Sequence, residues 1–271
     1  MKIPYARLFL FTSVAAIFYS SCQKSVVKPV AKTAADTAAV NKQIALNLVQ
    51  ALSGSYGGTD INYGVKAQSN ISTTHTDPIE YRITPLCGFI IDTTFSSKTQ
   101  SGDTAKVFAG NFRFVYTCST NRPDGYMVHD SLVYSGTAHL FKNSFTVAQN
   151  YTVKATDSTY KHVVTDGSIL SEVNNLVYHD GFSVGYDFVS NHYQLHKLKM
   201  DIVGGKPADI TSGTADFTSI TSYLHYGDIN YTESKTYGTI TFLGNHQAKL
   251  TITGTGKSFM IDLAAGTVKA V

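Results

Sequence analysis

The chain has 271 residues, of which 43% are hydrophobic, with 22 Lys and Arg against 19 Asp and Glu. That apolar content excludes a disordered chain. A net charge of +3 with no basic run excludes the electrostatic footprint of a nucleic-acid binder, and the balance is closer still to neutral once Lys2 and Arg7 are assigned to an export leader.

The first element is that leader. Lys2 and Arg7 precede a mostly apolar stretch, Leu8 to Phe18, and Tyr19, Ser20 and Ser21 lead into Cys22. The apolar stretch is shorter than the roughly 20 residues a membrane-spanning helix needs. Charge, apolar run, small residues and cysteine, in that order, predict a lipoprotein signal over 1–21 with lipidation at Cys22. The four residues resemble a lipobox, with Ser20 and Ser21 in place and Tyr19 where the pattern carries Leu. The alternative is an ordinary secretory leader that contains a cysteine. Acylation makes a membrane the partner of the N-terminus, since two or more acyl chains anchor stably. Residues 22–36, rich in Ala, Val, Lys and Thr around Pro29, read as a flexible tether.

The rest, 37–271, reads as a single β-domain with an N-terminal helix over 37–53. Val40, Ile44, Leu48, Ala51 and Leu52 recur at helical spacing. Asp36 or Thr37 is placed to cap the start and Gly54 to end it. Asn41, Lys42, Gln43, Asn47 and Gln50 form the expected polar face. Beyond about residue 80, Thr, Tyr, Val, Ile and Phe dominate and alternate. Phe182, Val184, Tyr186 and Phe188 alternate, as do Leu198, Met200 and Ile202, then Ala248, Leu250 and Ile252, then Phe259, Ile261 and Leu263. Turn signals fall at Pro123-Asp124-Gly125, Asp166-Gly167, Asp180-Gly181, Gly204-Gly205, Gly227-Asp228 and Gly244-Asn245. Long pieces between short turns predict a mainly β fold, a long-stranded antiparallel curved meander forming a half-barrel or barrel. A two-sheet sandwich is the other architecture the pattern allows.

With Cys22 lipidated, Cys87 and Cys118 remain as a pair. Residues 87–95 and 107–118 are strand-like, separated by the polar loop SSKTQSGDTAK with Gly102. Placing Cys87 opposite Cys118 in a hairpin sets Phe89 against Tyr116, Ile91 against Phe114 and Thr93 against Phe112, all on the face of the cysteines. Asp92, Thr94, Asn111 and Arg113 take the other face. One register thus serves both the apolar pattern and a disulfide; the alternative is two reduced, buried cysteines.

Motifs for chemistry are sparse. Thr255-Gly256-Lys257-Ser258 resembles the end of a phosphate-binding loop, but position 251 is Thr where the pattern needs Gly, and Phe259–Leu263 alternates like a strand instead of opening a helix. His192 and His196 have the spacing that chelates zinc on a helix. On a strand they stand roughly 13 Å apart, and HYQLHKLKMDI alternates. His129-Asp130 and His179-Asp180 read as turn pairs. No nucleophile elbow, zinc-protease helix or Cys-x-x-Cys pair occurs. The expectation is therefore no enzyme, no metal, no cofactor and no nucleic acid.

The segments SGTADF, YGTITFLGNHQAKLTI and KSFMIDLAAGTV, with ALSGSYGGTDIN and the CGFIIDTTF hairpin, resemble a recurrent pattern in uncharacterised lipoproteins of the Bacteroidota. The resemblance covers most of the mature chain and implies the cell envelope but no known activity. Those lipoproteins sit at the outer membrane. Surface-displayed ones often carry acidic residues after the cysteine, whereas Gln23, Lys24 and Ser25 follow here and the first acid is Asp36. This favours the periplasmic face. Bacteroidota also attach O-glycans at Asp-Ser/Thr followed by Ala, Ile, Leu, Val, Met or Thr. Matches at Asp36, Asp92, Asp103, Asp130 and Asp157 make Thr37, Thr104, Ser131 and Ser158 possible acceptors. Thr104 is favoured by its loop, and Thr93 is disfavoured by facing the core. Coincidence in a Thr-rich chain is the alternative. The functional expectation is an envelope-anchored binding or structural module. A carrier of a hydrophobic ligand in a half-barrel cavity and a carbohydrate-binding surface module are the two alternatives.

Overall fold

A computed structural model describes residues 34–56, 58–66, 68–69, 87–179, 182–203, 209–224 and 231–271. The leader, Cys22, most of the tether and the turn signals at Asp180-Gly181, Gly204-Gly205 and Gly227-Asp228 lie outside the described residues. Residues 38–271 form one compact unit.

Helix α1 spans Ala34–Leu52. It begins three residues before the expected start, so Asp36 and Thr37 lie inside its first turn and not at the position before it. Ala34 and Ala35 are strong helix formers and extend it backwards. The other end follows the sequence. Gly54 adopts φ +65°, its N–H bonds Ala51 O, and the Ser55 N–H bonds Gln50 O. This pair of bonds closes a helix through a left-handed glycine. The buried stripe holds Ile44, Ala45, Leu48, Ala51 and Leu52. It is rotated from the expected one: Asn41 and Asn47, assigned to the polar face, are 2% and 7% exposed, while Val40 is 37% exposed. Asn47 tolerates burial because its Oδ1 accepts a bond from the Ser171 hydroxyl at 2.7 Å.

After the helix, β1 (Thr59–Asp60) pairs with β2 (Gln68–Ser69) around two short helical turns, Ile61–Lys66, broken at Gly64. The remaining described strands form one eleven-stranded antiparallel sheet. Its strands are β3 (Ile90–Ser101), β4 (Thr104–Ser119), β5 (Arg122–Ala138), β6 (Phe141–Ala155), β7 (His162–His179), β8 (Phe182–Asp201), β9 (Asp209–Leu224), β10 (Thr232–Gly244), β11 (Gln247–Ile252), β12 (Ser258–Asp262) and β13 (Thr267–Ala270). Each strand pairs with its neighbours in sequence, and β3 and β13 are the two edges. The sheet is curved and open, a half-barrel meander and neither a closed barrel nor a sandwich.

The Cys87–Cys118 disulfide is present, with a Cα–Cα distance of 5.7 Å. The first hairpin has the register the disulfide argument required, with Ile91 opposite Phe114 and Thr93 opposite Phe112. Asp92 lies opposite Arg113 on the other face and within 3.6 Å of its guanidinium. The expected polar loop is much shorter than its composition suggests. Strands run to Ser101 and Thr104, and a two-residue turn with Gly102 at φ +60° joins them. Thr93 is on the core face yet exposed, because β3 is an edge.

Two other turn signals lie inside strands, at a bulge or opposite one. Pro123-Asp124-Gly125 lies inside β5, where Asp124 is the extra residue between Cys118–Pro123 and Thr117–Gly125. The Thr117 and Ser119 hydroxyls donate to its carboxylate. The chain reverses just before, at Thr120 and Asn121, both with positive φ. Asp166-Gly167 runs inside β7 without a turn: Asp166 alone faces two residues of β8, His196 and Lys197, and its carboxylate accepts the Lys197 N–H at 2.8 Å; Gly167 has φ +141°, and a Cβ there would lie 2.3 Å from Asn150 O. Gly244-Asn245 is a true turn, with Asn245 and His246 both left-handed and their N–H groups bonded to the Asp209 carboxylate. Thr255-Gly256-Lys257 also turns, between β11 and β12, and Ser258–Asp262 is a strand. A bulge near Lys197 (φ +49°) reverses the parity of β8. Tyr193 and Leu195 before it and Leu198 and Met200 after it therefore all bury on one face.

Helix α1 covers that face. Tyr193 donates to Ile44 O at 2.8 Å and Gln149 Nε2 to Ala51 O at 2.8 Å, and Tyr151 reaches Thr59 O at 3.4 Å. These bonds give the Tyr193 and Tyr151 hydroxyls and the Gln149 amide N–H partners on side chains that are otherwise wholly buried.

Candidate functional site

Two places concentrate polar chemistry. The first is buried. Asp130, mid-strand in β5, is 3% exposed, so His129-Asp130 is not the turn pair its sequence suggested. Its Oδ1 accepts the Gln149 N–H at 3.1 Å. Its Oδ2 and Gln149 Oε1 have no donor among the described residues. Both oxygens face Gly58, where a Cβ would lie 2.7 and 2.8 Å from them. Burial pushes the Asp130 carboxyl up to about 8, against one lowering bond from the Gln149 backbone. The neighbouring Tyr126 and Tyr151 phenols are held well above their usual range, first by burial and then by nearby groups that include Asp60. A strongly perturbed acid marks many active sites. Here it is buried behind Gly58 and beside Gln149, whose Nε2 donates to Ala51 O at the end of α1.

The second place is open. On the sheet face away from α1, His192, Gln194, Asp216, Thr218, Tyr237, Thr239 and Thr253 line a shallow groove of about 320 Å³. Strand pairing builds it. His192 is opposite Thr218, Gln194 opposite Asp216, and Asp216 opposite Thr239, so β8, β9 and β10 each supply a rung. Asp216 is its hub: Oδ1 accepts the Thr239 hydroxyl at 2.7 Å, and Oδ2 meets His196 Nε2 at 3.0 Å. Tyr237 is 46% exposed, and Lys235 Nζ lies 5.2 Å from its ring centroid. The hydrogen bond to Tyr237 is the main reason the Lys235 ammonium titrates above its usual value. Gly238 has no room for a side chain: a Cβ there would sit 2.2 Å from Thr251 O and 2.7 Å from the Phe217 ring.

The sequence singled out His192 and His196 but gave them no partner. The structure puts both on strand β8 and hands His196 to Asp216. Asp216, Thr239 and Tyr237 were not singled out, because they come together only through register between strands. Among the described residues no group of three His, Cys, Asp or Glu is placed to hold a metal ion, and no described helix is long and apolar enough to cross a membrane.

The possible glycan acceptors separate by position. Ser158 is exposed in the β6–β7 turn, and Thr104 is half-buried at the first position of β4, just past the hairpin turn. Ser131 is half-buried in mid-strand. Thr37 is helical, its side chain outside the described residues. At Asp157 the motif has a local structural use, since the carboxylate accepts both the N–H and the hydroxyl of Thr159. Comparison with protein-family models, curated proteins and solved structures finds no match to this chain.

Proposed function

We propose that this protein is an envelope-anchored binding module, held at the outer membrane by lipid on Cys22 and contacting its ligand through the groove on β8–β10. It works by binding, not by catalysis, on the periplasmic side. The observation that carries the reading is the division of the sheet into two faces. The face under α1 is filled by Tyr126, Tyr151, Tyr193, Leu48 and Leu52, each under 2% exposed, which leaves the hydrophobic-carrier alternative without support. The other face offers a ready set of polar groups around an accessible aromatic ring.

Tyr237 favours a carbohydrate as the ligand. A ring open on one side stacks against apolar C–H surfaces of a sugar, and Gln194, His192, Thr218 and Thr239 both donate and accept hydrogen bonds to hydroxyls. The test has two arms on the full chain. Cys22→Ser should move the protein from the detergent phase to the aqueous phase; unchanged partitioning rules out the lipid anchor. Tyr237→Ala should abolish retention on polysaccharide gels that retard the unaltered chain. No retardation of the unaltered chain on neutral or acidic polysaccharides ends the carbohydrate reading.

A further inference from the structure

The long edge of the sheet points to a second copy of this chain. Edge strands are ordinarily kept short, bulged, or interrupted by Pro or several Lys, because their unpaired N–H and C=O groups recruit other strands. β3 has none of these protections except a single lysine. It runs twelve residues, Ile90–Ser101, with an unbroken register to β4 and no proline. No described residue pairs with its outer side, whereas the opposite edge, β13, has four residues.

The hydrogen-bond phase of this edge is readable. The Tyr116 N–H bonds Phe89 O, so odd-numbered residues of β3 direct their backbone groups to β4. The even-numbered residues direct theirs outward, by the alternation of an antiparallel ladder. A two-fold partner must therefore match even residues with even ones. Asp92 and Lys98 are the only charged side chains in the strand, both on the even-numbered side. An axis through Phe95 sets Asp92 of one copy against Lys98 of the other, twice. It also sets Thr94 against Ser96, and Phe95 against Phe95 on the core-facing side. Moving the axis to residue 94 places Lys98 against Ile90, and moving it to residue 96 places Asp92 against Gln100. Neither shift pairs the charges. The axis at Phe95 also uses the strand from Ile90 to Gln100, nearly its whole length. Phe95 already packs against Phe108 of the same chain, ring centroids 5.0 Å apart and tilted by 46°, so a second Phe95 extends that aromatic patch.

We propose that two copies associate edge to edge through antiparallel β3 strands in this register. Like charges directly opposite are unfavourable and unlike charges favourable, so the register is testable by charge. The full chain should sediment at twice its monomer mass. Asp92→Lys alone and Lys98→Asp alone should each lower the dimer fraction at least tenfold, and the double exchange should restore it. Thr93→Cys and Ser97→Cys lie opposite each other across the axis. Mixed and oxidised, they should cross-link into dimers, while either alone should give no cross-link above the unaltered chain. Thermal melting of each variant separates loss of association from loss of fold. A monomeric unaltered chain overturns the proposal. So does a dimer indifferent to the charge reversals, or one without the mixed cross-link; both mean that another surface or another partner uses this strand.

Discussion

Asp130 is the residue whose surroundings most change its chemistry. Its carboxyl titrates at about 8 when folded, against an ordinary value near 4 when unfolded. Between those values the folded chain holds a proton that the unfolded chain has released, so stability falls as pH rises, by at most about 1.4 kcal/mol per pH unit. Denaturant melts of the full chain should therefore weaken from pH 5 to pH 8. Asp130→Asn should remove most of that slope and be the more stable form at pH 8. A slope unchanged in the variant would assign it to other groups. Gly58 follows the same logic: Gly58→Ala would drive a methyl into both oxygens at a residue with φ +85°. A loss of 2 kcal/mol or more is expected, on the order of other strained core substitutions.

At the scale of elements, the first hairpin is fixed twice, by apolar register and by the disulfide. The disulfide closes a loop of 31 residues, which in the chain-entropy account contributes about 3 to 4 kcal/mol. Paired Cys87→Ser and Cys118→Ser changes should lower the unfolding free energy by about that amount while leaving the far-ultraviolet β signature intact. This hairpin was legible in the sequence because Cys87, Phe89, Ile91 and Phe95 share one parity, as do Phe112, Phe114, Tyr116 and Cys118. β8 was less so. One bulged residue at Lys197 reverses which positions face inward, and nothing in HYQLHKLKMDI announces it. The same blindness affects Pro123-Asp124-Gly125, a bulge, and Asp166-Gly167, which faces the β8 bulge, since glycine and aspartate serve bulged pairings and turns alike. Asn41 and Asn47 were misassigned for a related reason: whether a polar side chain is buried depends on the partner it meets, here Ser171 for Asn47, more than a hundred residues away. The candidate groove was invisible in one dimension, because Asp216 and Thr239 become neighbours only when β9 and β10 pair.

The unit of residues 38–271 is an open half-barrel sheet with the helix packed on one face. The general architecture was legible because long alternating segments joined by short turns leave few other solutions. That the concave side is filled was not, since the same Phe and Tyr content suits a core or a cavity. Leu48 is fully buried at the centre of the helix face. Leu48→Ala should cost about 2 to 5 kcal/mol and leave a dry apolar void, which small aromatic ligands fill in such sites. The unaltered chain should show no saturable uptake of benzene-sized probes and the variant should. Uptake by both would reveal an existing cavity. The way α1 is held also sets an order of events during synthesis. Its anchoring bonds reach from Ala51 to Gln149, from Asn47 to Ser171 and from Ile44 to Tyr193, separations of 98, 124 and 149 residues. The helix is made early, but the surface that receives it exists only after β8 has been made. Its apolar stripe must stay soluble, or be shielded by another protein, while well over a hundred residues of sheet are laid down strand by strand behind it.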